Sequence, residues 1–200
     1  MNPSPAMNVL VCGVGGQGVI LFSNILSDLA LKAGLDVKKS EVHGMAQRGG
    51  SVASHIRFGR RVWSPLIEEG TADVIVAFER LEALRYAHFV AGSGRILYDP
   101  HRIQPLPVQI GAVEPMPDEE IDRRLRGRAG ILVPVPAFAT AVQLGNPRVQ
   151  NILILGAVSK FLQFPTADYT AAIKALVKPA FLDLNLRAFE AGLDLVCSAG

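Results

Sequence analysis

The chain has 200 residues, half of them hydrophobic and 19% charged, and its 20 basic and 18 acidic side chains leave a formal charge of +2. Such a composition excludes a disordered chain, argues against a large nucleic-acid footprint, and suits one α/β domain over residues 1–200 with a sizeable core. Two cysteines without CxxC spacing, Cys12 and Cys197, exclude a disulfide scaffold and a self-contained four-cysteine iron–sulfur or zinc site.

The opening MNPSPAMN lacks the charged segment and cleavage signal of a secretory leader. No uncharged apolar run reaches 18 residues, so the expectation is a soluble cytoplasmic protein without membrane contact. NVLVC at 8–12 reads as a short buried strand running directly into GVGGQG. Ile20, Leu21, Ile25, Leu26, Leu29 and Ala33 recur at helical spacing, and Gly34 is the stop. Residues 35–42 supply a second strand, giving a βαβ opening of a parallel sheet.

HGMAQRGG, 43–50, has neither strand nor helix period and reads as a loop. SVASHIRFG at 51–59 reads as a strand, Gly59–Arg60 suggests a turn into RVWSP, which Pro65 ends, and a short hairpin is expected after the second strand. ADVIVAF at 72–78 is a buried strand, 80–90 a short helix and GRILYD at 94–99 a further strand. Residues 100–118 are proline-rich and read as an irregular excursion around one weak strand, PVQIGAV. RRLRGR, 123–128, fits a short helix and its exit turn, more a solvated face than a nucleic-acid patch because no aromatic residues interleave it. GILVPVPA at 130–137 is the last strand, and helices follow at 148–162, 166–177 and 180–196. The expected fold is an open, mostly parallel Rossmann-like sheet with flanking helices and a helical C-terminal part, 148–196.

Two loops carry the chemistry. Gly13, Gly15 and Gly18 match GxGxxG after a strand and before a helix, with Gly13 assigned to a tight turn and Gly15 to close approach of a phosphate. Lys38-Lys39-Ser40 stands where the ribose-binding acid belongs, although Asp36 or Glu41 offers an acid nearby. Either a nucleotide or plain helix–sheet packing satisfies the glycines, and Gln17 between them suits a ligand or a neighbouring subunit. The second loop concentrates Ser40, Glu41, His43, Gln47, Arg48 and Ser51 around Gly44, Gly49 and Gly50, beyond the carboxyl end of a strand, where open sheets bind ligands. Arg48 offers a fork for a carboxylate or phosphate, or a partner for Glu41. His43 offers a proton near neutral pH, or a hydrogen bond to backbone. His43 and His55 stand too far from cysteines and carboxylates for a metal motif, and no G-x-S-x-G elbow marks a hydrolase.

Together GVGGQGVI at 13–20 and SEVHGMAQRGGSVASHIR at 40–57 resemble the gamma-type domain of the 2-oxoacid:ferredoxin oxidoreductases. The HGM-QRGG form is most similar to the small beta subunit of the indolepyruvate type. SPLIEEGTADVIVAFERLEALR at 64–85, GN at 145–146 and NILILGAVSKFL at 151–162 extend the resemblance over nearly the whole chain. Arg80 departs from it, since the family commonly has proline there, and 100–130 matches poorly. The resemblance implies a small subunit, inactive alone, supporting oxidative decarboxylation of an arylpyruvate to its acyl-CoA. Thiamine diphosphate, Mg and iron–sulfur clusters then belong to a large alpha subunit, ferredoxin takes the electrons, and coenzyme A is a substrate. It implies that Gly13, Gly15, Gly16, Gln17 and Gly18 shape a cofactor-type loop. Glu41, His43, Gly44, Met45, Gln47, Arg48, Gly49, Gly50 and Ser51 then face the partner or the acyl and coenzyme A path, with His43 and Arg48 the candidates for a direct contribution. A homodimer contact is a further expectation. The alternatives are a pyruvate or 2-oxoglutarate gamma subunit and a free-standing dinucleotide-binding oxidoreductase. Mean hydropathy of +0.30, high for so little charge, suits apolar surface covered by a partner.

Overall fold

The computed structural model describes residues 6–43 and 50–196. Six strands form one sheet: β1 (Met7–Val14), β2 (Asp36–His43), β3 (Ser51–Gly59), β4 (Ala72–Ala77), β5 (Val90–Tyr98) and β6 (Ile131–Pro134). Their order is β2-β3-β1-β4-β5-β6. β4, β5 and β6 extend parallel from β1. β3 lies antiparallel between β1 and β2, so β2 shares the direction of β1 without touching it. The βαβ opening is therefore split. β3, returned by the expected hairpin, takes the place beside β1 that a simple βαβ unit gives to β2.

α1 (Val19–Lys32) follows β1 and buries Phe22, Ile25, Leu26 and Leu29 on one face of the sheet. Gly34, at φ +76°, ends it as expected. α2 (Arg80–Tyr86) follows β4 and packs on the opposite face. It stops four residues short of the expected helix, because a 3-10 turn at 87–89 delivers the chain into β5. That strand begins at Val90 rather than at Gly94.

The weak strand expected at PVQIGAV is instead the single-turn helix α3 (Leu106–Gln109) and turns. Pro105 and Pro107 fix φ near the helical value and remove strand donors, which favours a first helical turn over a ladder. α4 (Asp118–Arg126) carries the basic run on its exposed side and leaves through Gly127. β6 is shorter than the expected 130–137 strand. Pro134 and Pro136 end it, and α5 (Ala137–Gln143), absent from the sequence expectation, begins immediately.

The helical C-terminal part comprises α6 (Gln150–Ser159), α7 (Thr166–Leu176) and α8 (Leu182–Asp194). α6 is buried from Gln150 to Val158, as befits a helix apolar all round, and lies between the sheet layer and α8. Its crossing with α8 is set by two glycines. A Cβ on Gly156 would come 2.3 Å from the Phe189 carbonyl oxygen, and one on Gly192 would come 2.2 Å from that of Leu153. Backbone meets backbone there, so nothing flexible can yield. Gly192→Ala is expected to lower stability by about 1–3 kcal/mol, as overpacking does. Gly92→Ala, where a Cβ meets nothing within 4 Å, is its control. Equal urea midpoints for the two variants contradict this packing.

Candidate functional site

The strand order reverses between β1 and β4: the connection from β1 crosses one face through α1, and that from β4 crosses the other through α2. Open α/β sheets bind ligands in the crevice beyond the carboxyl ends at such a point. The glycine loop stands there. Gly16 and Gly18 take positive φ, +103° and +86°. At Gly18 a Cβ would also lie 2.6 Å from Asn151 Nδ2. Gly13 does not make the tight turn expected of it. It is part of β1, and a Cβ there would meet Gln17 Oε1 at 2.9 Å and Phe78 Cβ at 3.0 Å, so its role is close packing. The Gly15 N–H donates to the Gly50 carbonyl at 2.8 Å, fastening the first loop to the end of the second.

Gln17 turns into the protein. Its Oε1 accepts the Val14 N–H at 2.7 Å, and its Nε2 donates to the Phe78 carbonyl at 2.9 Å and to Gln150 Oε1 at 3.3 Å. Gln150, at the start of α6, donates to the same Phe78 carbonyl at 2.8 Å and to Asp99 Oδ2 at 2.9 Å. Asp99, directly after β5, accepts the Phe138 N–H at 2.6 Å in α5 and the His101 N–H at 2.8 Å. One chain of hydrogen bonds thus ties the ends of β1, β4 and β5 to the first turns of α5 and α6. Burial pushes the Asp99 carboxyl up from its ordinary 3.8, against the pull of the His101, Phe138 and Gln150 donors. Burial likewise raises Glu79, directly after Phe78, while its carboxylate caps α2 at the Glu82 N–H and accepts the Ile103 N–H.

A second polar group lies on the α2 side. The Ser51 hydroxyl donates to Glu82 Oε2 and meets the Tyr86 hydroxyl at 3.1 Å, while Arg85 Nε donates to Glu82 Oε1 at 3.0 Å. With its other oxygen held by an arginine, Glu82 serves as an anchor for the exit of the second loop. Cys12 is buried, its thiol directed at the Glu82 carbonyl at 3.7 Å, and burial pushes its pKa well up. That makes it an inert core thiol.

Among the expected site residues, Gly13, Gly15, Gly16, Gln17, Gly18, Gly50 and Ser51 converge on this end of the sheet. Glu41 is on β2, beyond β3, in an ion pair with Lys39 at 2.8 Å. His43 stands opposite Val52 in the strand register. Its side chain, and Gly44, Met45, Gln47, Arg48 and Gly49, lie outside the described residues, as does Cys197. The split sheet bears on the dinucleotide alternative. β2 lies two strand spacings from β1, about 10 Å, so an acid at its end stands far from the glycine turn. The Gln17 carboxamide also takes the Val14 amide for itself. No group of three metal-ligating side chains occurs among the described residues.

Glu79, Glu82, Asp99 and Gln150 were missed from the sequence. The available signal was an acid directly after a buried strand, in VIVAFE and RILYD. An open cleft of about 190 Å³ remains above the hydrogen-bond chain. Gly16, His101, Phe138 and Arg148 line it, with the His101 and Phe138 rings stacked at 3.7 Å. No ion pair engages Arg148 among the described residues. This leaves a guanidinium free to receive a carboxylate or phosphate.

A doubly wound α/β domain with its polar site at the switch point is the class that fold and geometry define. The chain belongs to the pyruvate ferredoxin/flavodoxin oxidoreductase family, whose model matches residues 8–195. It is 38% identical over 189 residues to the indolepyruvate oxidoreductase subunit IorB of Thermococcus kodakarensis, covering 93% of this chain and 94% of that protein. The IorB of Archaeoglobus fulgidus is 38% identical over 194 residues, with 96% of each chain covered. Among solved structures, 98% of the chain superposes on 2-oxoglutarate:ferredoxin oxidoreductase from Magnetococcus marinus, at a TM-score of 0.76 and 21% identity. The match spans only about a third (32%) of that longer chain. A keto/oxoacid ferredoxin oxidoreductase gamma subunit from Geobacter sulfurreducens matches at 0.69 and 21%, covering 96% of this chain and 99% of that one. Both structures share the fold. At the level of the family, the chain is a gamma-type domain and a small subunit of an oxidoreductase complex.

Gln17→Leu leaves the buried Val14 N–H without its acceptor, so a loss of about 1–3 kcal/mol is expected in urea unfolding; a loss within experimental error contradicts the inward role. Asp99 also gives a pH signature. Its folded pKa is raised, so its contribution is fullest below the unfolded carboxyl value and is lost as pH rises through the folded one. Measured against Asp99→Asn, the wild type should therefore lose stability as pH rises above about 4 and level off beyond the folded value. A constant difference from pH 3 to 8 contradicts this.

Proposed function

We propose that the chain is the small, cluster-free subunit of a cytoplasmic arylpyruvate:ferredoxin oxidoreductase of the indolepyruvate type. The observation that carries this reading is the end-to-end match to IorB subunits at 38% identity, against 27% for a 2-oxoglutarate synthase KorC subunit of similar coverage. Cysteine chemistry supports the division of labour. With Cys12 buried and two cysteines in all, the chain lacks the ligands of an iron–sulfur cluster. Thiamine diphosphate and clusters, held by a large partner subunit, supply the decarboxylation and the electron path to ferredoxin.

In that complex this chain positions rather than reacts. Gln17, Gln150 and Asp99 hold the ends of three strands rigid. Gly16 keeps the loop crest free of side chains for close approach, and Gly18 lets the loop pack against Asn151. Ser51 and Glu82 anchor the chain where the 44–50 segment enters β3, beside the acyl and coenzyme A path, and Arg48 supplies an anion contact there. The discrimination between arylpyruvates lies in the partner.

Co-purification from the native host should recover a large subunit with cluster-binding sequence, and the pair should reduce ferredoxin with an arylpyruvate and coenzyme A. A chain that purifies alone, or a complex reducing ferredoxin only with pyruvate or 2-oxoglutarate, contradicts the proposal. Arg48→Ala should leave thermal unfolding unchanged and lower the rate of the complex by about tenfold or more; an unchanged rate removes Arg48 from the site.

A further inference from the structure

A second cleft lies where the start of α6 faces the connection between α7 and α8. It has a volume of about 320 Å³, within the range of small-molecule sites. Its walls are apolar, with Leu21 from α1, Val149, and Leu176, Phe181 and Leu184 from the α7–α8 region. Leu176 and Phe181 are 42% and 52% exposed, so the apolar surface is open to solvent. Asn146 and the buried Asn151 and Asn185 add carboxamides to the lining.

The charge on its lining has one sign. Arg148 and Lys178 line the cleft, no acid does, and neither cation is in an ion pair among the described residues. An apolar floor under two unpaired cations is complementary to a molecule with an apolar body and one anionic end. The cleft is too small for more than a compact body. Arg148 also lines the switch-point cleft, so the two cavities adjoin across the 147–149 turn and share one guanidinium.

We infer that this cleft binds a small aromatic or branched monocarboxylate, its body against Leu21, Leu176, Phe181 and Leu184 and its carboxylate on Lys178 and Arg148. Because Arg148 serves both cavities, such a ligand draws it from the switch-point cleft, and occupancy of one site is linked to anion binding at the other. The inference rests on the cavity and its charges. It stands whether or not the partner is the subunit proposed above.

The test is a titration of the full chain with indole-3-acetate, followed by 15N–1H NMR and calorimetry, with uncharged indole as the comparison. Saturable binding is expected, with amide shifts confined to residues 20–22, 146–151 and 176–185. Lys178→Ala should weaken it by about fivefold, and Lys178→Arg should restore it. Indole should bind more weakly than indole-3-acetate by a similar factor. No binding, shifts centred elsewhere, equal affinity for indole, or indifference to Lys178→Ala each overturns the inference. The same titration on the assembled complex separates the remaining case. Binding to the isolated chain that vanishes in the complex means that a neighbouring subunit covers the groove, and the ligand-site inference fails.

Discussion

The backbone carbonyl of Phe78 is the point on which the site depends. It lies at the carboxyl end of β4, just where the sheet changes from α1 on one face to α2 on the other, and it accepts hydrogen bonds from both Gln17 and Gln150. Each carboxamide uses both of its N–H hydrogens, Gln17 on Phe78 and Gln150, Gln150 on Phe78 and Asp99. A buried polar network with every member satisfied rigidifies its surroundings, whereas a broken one costs the full desolvation of the orphaned groups. The glycine loop, α5 and α6 are therefore held as one unit. The cleft above them owes its shape to bonds that are internal to this chain.

Such an arrangement suits a subunit whose work is to complete another's site. The buried carboxylates are occupied in capping helices and closing turns, and the one cysteine among the described residues is sealed in the core. What faces outward is backbone without side chains at Gly16, a stacked ring pair and an unpaired arginine. Those features suit recognition of an anion or of another surface. Family membership places them in an oxidoreductase complex.

Much of this was legible in the sequence, for physical reasons. Short apolar runs ended by glycine or proline mark the buried strands, and the 3.6-residue period of Val19–Lys32 marks α1. Strand order was not legible. Nothing local in SVASHIRFG says that it inserts beside β1, because that choice is made by the hairpin register and the apolar faces of β1 and β3 together. In PVQIGAV, 107–113, valine and isoleucine favour a strand, while Pro105 and Pro107 decide for a helical turn. The glycines were visible as a motif, yet the reason for Gly13 was not: its neighbour is Phe78, 65 residues further along. Gln17 stands out between glycines as a residue suited to a ligand or a neighbouring subunit. Its inward bonds need Phe78 and Gln150, which only the folded chain brings together.

The central claim is that the strand-end crevice, rigid in the isolated chain, is the surface a large subunit completes. Hydrogen exchange on the isolated chain and on the assembled complex tests it most directly. Assembly should add protection at the amides of residues 15–18, 41–51 and 101–103, while those of α6, already buried, change little. Protection gained on the far end of the sheet instead, with the 15–18 and 41–51 amides unchanged, would contradict the account.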